Sequence, residues 1–178
     1  MKTTLIAVAG LAAAASGQTV IDLSGINVDG TSPTVFTVTQ TDGGPLSSFD
    51  FDITVDVGGV GGNASWASEV FIGLSFGAFT FTADGNDIDL TDDGPNDLLF
   101  GWGNSGGIFS FQGSVDMTGQ GPADTQGDWV VTLIDQFDDF GIDYTFLSGS
   151  TITINKVPAP AGLAILGLGG LVVARRRR

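Results

Sequence analysis

Between residues 34 and 156 the chain is a succession of short segments in which apolar and polar residues alternate, divided by Gly, Asp, Asn and Pro. The clearest is Phe49-Asp50-Phe51-Asp52-Ile53-Thr54-Val55-Asp56-Val57. Its odd positions are all apolar, and its even positions are Asp or Thr. Successive side chains of a β-strand point to opposite faces, so this segment predicts a strand that is dry on one side and wet on the other. Thr34–Gln40 alternates in the same way. Further strands are expected at Ala67–Ser75, Ala78–Thr82, Leu98–Trp102, Ile108–Val115, Trp129–Asp135, Asp143–Leu147 and Ser150–Asn155. The stretches GPLSS, DVGGVGGN, TDDGPND and TGQGPADTQGD supply turn chemistry between them. No window longer than ten residues holds a helical period outside the two ends. The expected fold is therefore all-β, an antiparallel β-sandwich of jelly-roll type.

Composition sharpens this picture. Of the 20 acidic residues 19 are Asp, and Glu69 is the sole Glu. Asp bonds nearby backbone N–H groups and favours turns, which suits a chain of strands and loops. All the acids lie between Asp22 and Asp143, while no base occurs from Thr3 to Asn155. Such a surface repels nucleic acid and anionic lipid, so neither is an expected partner of the body. It attracts divalent cations and basic partners. The same acids also serve plain solubility. The chain has no cysteine and no histidine. Disulfides, thiolate and imidazole zinc sites, and nucleophile–histidine catalysis are thereby excluded. No phosphate-binding or dinucleotide-binding loop and no nucleophile elbow is present. A carboxylate pair of the glycosidase kind has candidates, but nothing in the spacing singles one out, so no enzymatic activity is expected.

The two ends differ from the body. Residues 1–17, MKTTLIAVAGLAAAASG, place Lys2 before an apolar run and then small residues. That is the layout of a secretory signal peptide, with cleavage expected before Gln18, or alternatively after Ala15. The body is expected to span residues 18–156. Residues 157–178 read VPAPAGLAILGLGGLVVARRRR. The apolar run from Ala161 to Ala174, about 21 Å long as a helix, is short for a relaxed membrane span. Arg175, Arg176, Arg177 and Arg178 would act as a stop-transfer cluster retained on the cytoplasmic side.

This tail resembles the PEP-CTERM sorting domain of bacterial surface proteins. Val157, Pro158, Ala159 and Pro160 stand where that family has its sorting motif, with Ala159 in place of the family's Glu. The resemblance implies processing by an exosortase-type membrane enzyme, after signal peptidase has acted at the other end, and delivery to the cell envelope or extracellular surface. A plain C-terminal membrane anchor is the alternative. Within the body, Gly127-Asp128-Trp129-Val130-Val131-Thr132-Leu133-Ile134-Asp135 resembles the closing part of the P-domain of proprotein convertases, a jelly-roll module. The resemblance implies that Trp129, Val131 and Leu133 face inward and that Asp135 closes the strand.

Two binding chemistries fit the residues. Ca²⁺ takes 6–8 oxygen ligands, and two Asp-rich stretches could supply them: Asp84–Asp97 and Asp135–Asp143. Neither has EF-hand spacing. Asp135, Asp138, Asp139 and Asp143 are the preferred ligands. Carbohydrate binding is the other, because aromatic rings stack on sugar faces. Trp66, Trp102 and Tyr144 are candidates, and Trp102 leads because Gly101 and Gly103 should leave its ring exposed. The expected role is that of an exported structural or adhesive protein that uses calcium. The alternatives are a module binding surface polysaccharide or, further off, a carboxylate-dependent glycan-active enzyme.

Overall fold

The structure, a computed structural model, describes residues 18–29, 32–58, 66–86, 96–136 and 142–157. Eleven strands occur among them: β1 (Gln18–Asp22), β2 (Asn27–Val28), β3 (Thr34–Gln40), β4 (Leu46–Val57), β5 (Val70–Phe76), β6 (Phe79–Asp84), β7 (Asp97–Leu99), β8 (Gly107–Asp116), β9 (Gly127–Asp135), β10 (Tyr144–Phe146) and β11 (Thr151–Lys156). They form a six-stranded sheet and a five-stranded sheet packed face to face as a sandwich. The expected all-β architecture is present. The signal-peptide segment and the residues beyond Val157 lie outside the described residues.

β4 organises the six-stranded sheet. On one side its first half pairs with β11 and its last three residues with β10, while β8 runs along its whole other side from Ser48 to Val57. β1 extends the sheet beyond β11, and β2 extends it beyond β10. The five-stranded sheet has the order β3-β9-β5-β6-β7. Every pair is antiparallel except β6–β7, which is parallel.

The period-2 pattern of β4 does what alternation dictates. Phe49, Phe51, Ile53, Val55 and Val57 are buried, and Asp52 on the other face is exposed. Phe49 meets Phe81 at 4.8 Å and Trp129 at 5.7 Å between ring centroids, across the gap between the sheets. Trp129, Val131 and Leu133 of β9 are fully buried, as expected for an inward face. The indole N–H of Trp129 donates to the Thr125 carbonyl, so its one polar atom is satisfied inside the core.

Four elements differ from the sequence reading. β1 and β2 were not expected: β1 is an edge strand with a weak pattern, and β2 has two residues. Both exist through pairing with β11 and β10. The strand expected at Leu98–Trp102 stops at Leu99 because Gly101 takes a φ of 72°, which turns the chain. Phe100 and Trp102 then swing inward, with their N–H groups donating to the carbonyls of Asp84 and Gly85. Ala67–Glu69 forms a single 3₁₀ turn ahead of β5. Among the described residues no helix is long and apolar enough to cross a membrane.

Candidate functional site

The sandwich has two unlike poles. At one, β1 begins and β11 ends beside each other, with Gln18 opposite Asn155. The loops between β3 and β4 and between β8 and β9 close this pole. Thr125 N–H donates to the Gly44 carbonyl and Leu46 N–H to the Pro122 carbonyl. The Gln40 side chain donates to Thr125 Oγ1 at 2.6 Å. Asp124 ties the same loops: its carboxylate accepts from the N–H of Gln126 and the N–H of Gly44, which hold its pKa below the ordinary carboxylate range. Lys156, the only base among the described residues, donates to the Asp42 carbonyl at 2.6 Å and lies 3.7 Å from its carboxylate.

The other pole gathers buried acids. Glu69, Asp84, Asp135 and Asp143 are each 4% exposed or less. β5 begins there, with Val70 opposite Asp135 on β9 and Phe71 opposite Asp84 on β6. Asp143 precedes β10, its N–H donating to the Val28 carbonyl and its carbonyl accepting from Gly58. Tyr144 joins the two sheets at this pole. Its hydroxyl lies 3.0 Å from the Ile134 carbonyl and 3.3 Å from that of Phe71, sharing one proton between the two. Burial raises the Tyr144 pKa well above its usual value, and the charges of Asp135 and Asp143 add to the rise. The phenol therefore stays neutral.

Glu69 accepts the N–H of Trp66 through Oε2, while its own N–H donates to the Trp66 carbonyl. This reciprocal closure fixes the turn. Gly85 passes directly against the Ala67 carbonyl, where a Cβ could not fit, and Asn86 N–H donates to the Ser68 carbonyl. The hydroxyl of Ser68 and the amide oxygen of Gln136 are buried without a hydrogen-bond partner among the described residues.

The candidate ligands divide accordingly. Asp135 and Asp143 are brought to one pole, where the charges of both raise the Tyr144 pKa. Asp138 and Asp139 lie outside the described residues. Asp84 follows Phe81 and Ala83, which point into the core, so alternation turns it to the outer face, away from Asp135. Among the described residues, no three carboxylates come together in a group able to hold a metal ion.

The expectation that flanking glycines expose Trp102 is corrected. Its ring is 6% exposed and packs against Phe100 at 4.6 Å and Phe109 at 5.8 Å. The turn at Gly101 directs the ring into the core, so no sugar-sized face remains. Tyr144 is buried as well. Trp66, at 41%, is the exposed tryptophan, and it stands at the acidic pole. Of the sorting motif, Val157 is described: it is exposed, and its N–H donates to the Pro45 carbonyl. Pro158, Ala159, Pro160 and Arg175 to Arg178 lie outside the described residues.

The role of Tyr144 as the junction between sheets was not legible in sequence, since a lone Tyr in a short strand has many uses. The burial of Glu69 had a faint signal: it is the only Glu, three residues after Trp66, at the spacing that closes a turn.

No family model matches the chain, and no curated protein is recognisably similar to it. Among solved structures it is similar to a chain in the crystal structure of the Aeromonas sobria serine protease and chaperone (ORF2) complex. The TM-score is 0.42 at 12% identity, and the match covers 80% of this chain and 26% of that one. The chain thus spans about a quarter of the length of that neighbour, and nothing of its activity is carried over.

Proposed function

We propose that this protein is an exported, surface-sorted structural or adhesive module, a jelly-roll sandwich that holds its acidic pole away from the envelope and uses calcium there. One observation carries the reading. The two junctions, Gln18 and Val157, leave from the same pole, and the buried carboxylates collect at the opposite one. A body tethered through either end then turns outward the pole that buries Glu69, Asp135 and Asp143 and exposes Trp66. Burying like charges together is costly, and a divalent cation offsets that cost directly. The only base among the described residues, Lys156, stands at the far pole. Signal peptidase and an exosortase-type enzyme would act at the two junctions.

The test of delivery expresses the full chain and a chain ending at Lys156 in a host that carries the sorting enzyme. The full chain should fractionate with the envelope, shortened at its C-terminus, and the truncated chain should be released. Identical fractionation of the two would overturn the sorting reading. Calcium has its own test: the melting temperature of the full chain should rise on adding Ca²⁺ and fall with chelator, and an unchanged value would remove the ion.

Binding of surface polysaccharide is the second reading, favoured by the exposure of Trp66 at the outward pole. Glycan binding that survives Trp66→Ala would remove it.

A further inference from the structure

The two flanks of the sandwich are also unlike, and one is left unfinished. β8 is ten residues long and pairs with β4 in unbroken register from Asp116 opposite Ser48 to Gly107 opposite Val57. Among the described residues its other edge has no neighbour. Such an edge presents a row of backbone N–H and C=O groups, and proteins usually protect it with Lys, Pro, a bulge or a charge turned inward. β8 carries none of these. Its single charge is Asp116, at its last position.

The side chains point the same way. On the inner face Phe109, Phe111 and Val115 are only half-buried, although they pack on the core. Phe111 reaches Phe100 at 4.9 Å, and Phe109 reaches Trp102 at 5.8 Å, which makes an aromatic margin open on one side. Ile108 is 67% exposed, the most exposed large apolar side chain among the described residues. The other long edge differs: on β3 the inward Phe36 and Gln40 are already buried.

Charge selects the occupant. Leu98 to Val115 is a run of 18 residues without a charge, the longest such run between Asp22 and Asp143. A second copy of this acidic chain meets least repulsion along the longest uncharged run. We infer that the free edge of β8 pairs with β8 of a second copy, antiparallel about a two-fold axis perpendicular to the sheet. That symmetry matches odd positions with odd, so both apolar faces stay on one side. It also sends the two Asp116 carboxylates to opposite ends of the ladder. Centred on Phe111, the register sets Phe109 against Gly113 of the other copy; centred on Gln112, it sets Phe109 against Val115. The strand is ~34 Å long, and the strip it presents, side chains included, is on the order of 700 Å² per copy, close to the ~800 Å² of standard interfaces. This pairing is independent of the sorting and calcium readings.

The absence of native cysteine makes the test position-specific. Gln112→Cys, Ser110→Cys and, on the exposed face of β3, Thr37→Cys are introduced singly into the full chain. Each is oxidised under native conditions and run on a non-reducing gel. Gln112→Cys alone should give a disulfide-linked dimer if the axis passes through Gln112. An equimolar mixture of Ser110→Cys with Gln112→Cys should give one if it passes through Phe111. Sedimentation equilibrium of the unmodified chain should give twice the monomer mass. Cross-linking at β8 no faster than at Thr37, or a monomeric mass, would overturn the inference. A dimeric mass with cross-linking confined to Thr37 would overturn it too, by placing the contact on β3.

Discussion

Tyr144 shows how one side chain sets the properties of a pole. Its hydroxyl donates into the other sheet while burial, with the charges of Asp135 and Asp143 adding to it, keeps it from ionising. Tyr144→Phe keeps the ring and should cost about 1 kcal/mol, the net worth of a typical buried hydrogen bond, read as a shift in the denaturant midpoint at constant slope. The sign of the alkaline effect follows from the raised pKa. The unfolded chain releases the phenolic proton near pH 10 while the folded one retains it, so stability present below pH 10 declines as the pH rises beyond it. Tyr144→Phe should flatten that decline. Asp22, Asp116 and Asp124 work in the opposite direction. Their pKa values are lowered by hydrogen bonds within turns: from the Ser24 side chain and N–H, from the Thr118 side chain and N–H, and from the N–H groups of Gln126 and Gly44. Their contribution is present above the ordinary carboxylate pKa and is lost as pH falls through the lowered values. Acid unfolding curves of Asp124→Ala should therefore be shallower below pH 4 than those of the parent.

At the scale of the element, β4 carries the contrast between a strand's two faces. Ile53 is wholly buried, and Ile53→Ala should cost about 2–5 kcal/mol by leaving a cavity between the sheets. Asp52, one position earlier and exposed, contacts Gln112 at 3.5 Å, and Asp52→Asn should stay within about 0.5 kcal/mol of neutral. Chemical denaturation of both variants would check the pair. The segment from Phe49 to Val57 was legible because burial on one face imposes a period of two on the sequence. β2 was not, because two residues carry no period and its existence depends on β10 alongside. The end of β7 was illegible for a different reason. Leu98 to Trp102 looks like a strand, and only the left-handed backbone at Gly101 shows where it stops. The same turn hides Trp102, so the sugar platform expected there was lost through backbone geometry that composition does not encode.

Across the described residues the arrangement is polar, with both chain ends at one pole, buried acids at the other, and an edge with a single acid along one flank. Gly85→Ala should be severely destabilising despite its small size, because the chain at the acidic pole passes against the Ala67 backbone with no room for a Cβ. A melt of this variant would show whether the pole belongs to the cooperative fold: a single transition at lower temperature is expected, and an unchanged one would mean that the contact is dispensable. If calcium binds there, it should raise the melting temperature of the parent chain more than that of Asp135→Asn or Asp143→Asn. Equal shifts in all three would place the ion elsewhere.

The sequence by itself determined the fold class, the inward face of β4 and β9, and the exclusion of thiol and imidazole chemistry. These follow from local periodicity and from which side chains exist at all. It also set the distribution of charge, which decides what can approach the surface. The tertiary structure decided which residues meet. Strand pairing brought Asp135 and Asp143 within electrostatic reach of one phenol, although neither position announces the other in the chain. It set Gln18 beside Asn155, so that both ends of the described chain share a pole, and among the described residues it left one edge of β8 unpaired. Each of these is a relation between segments distant in sequence, fixed by register and sheet order, and local pattern contains no information about either.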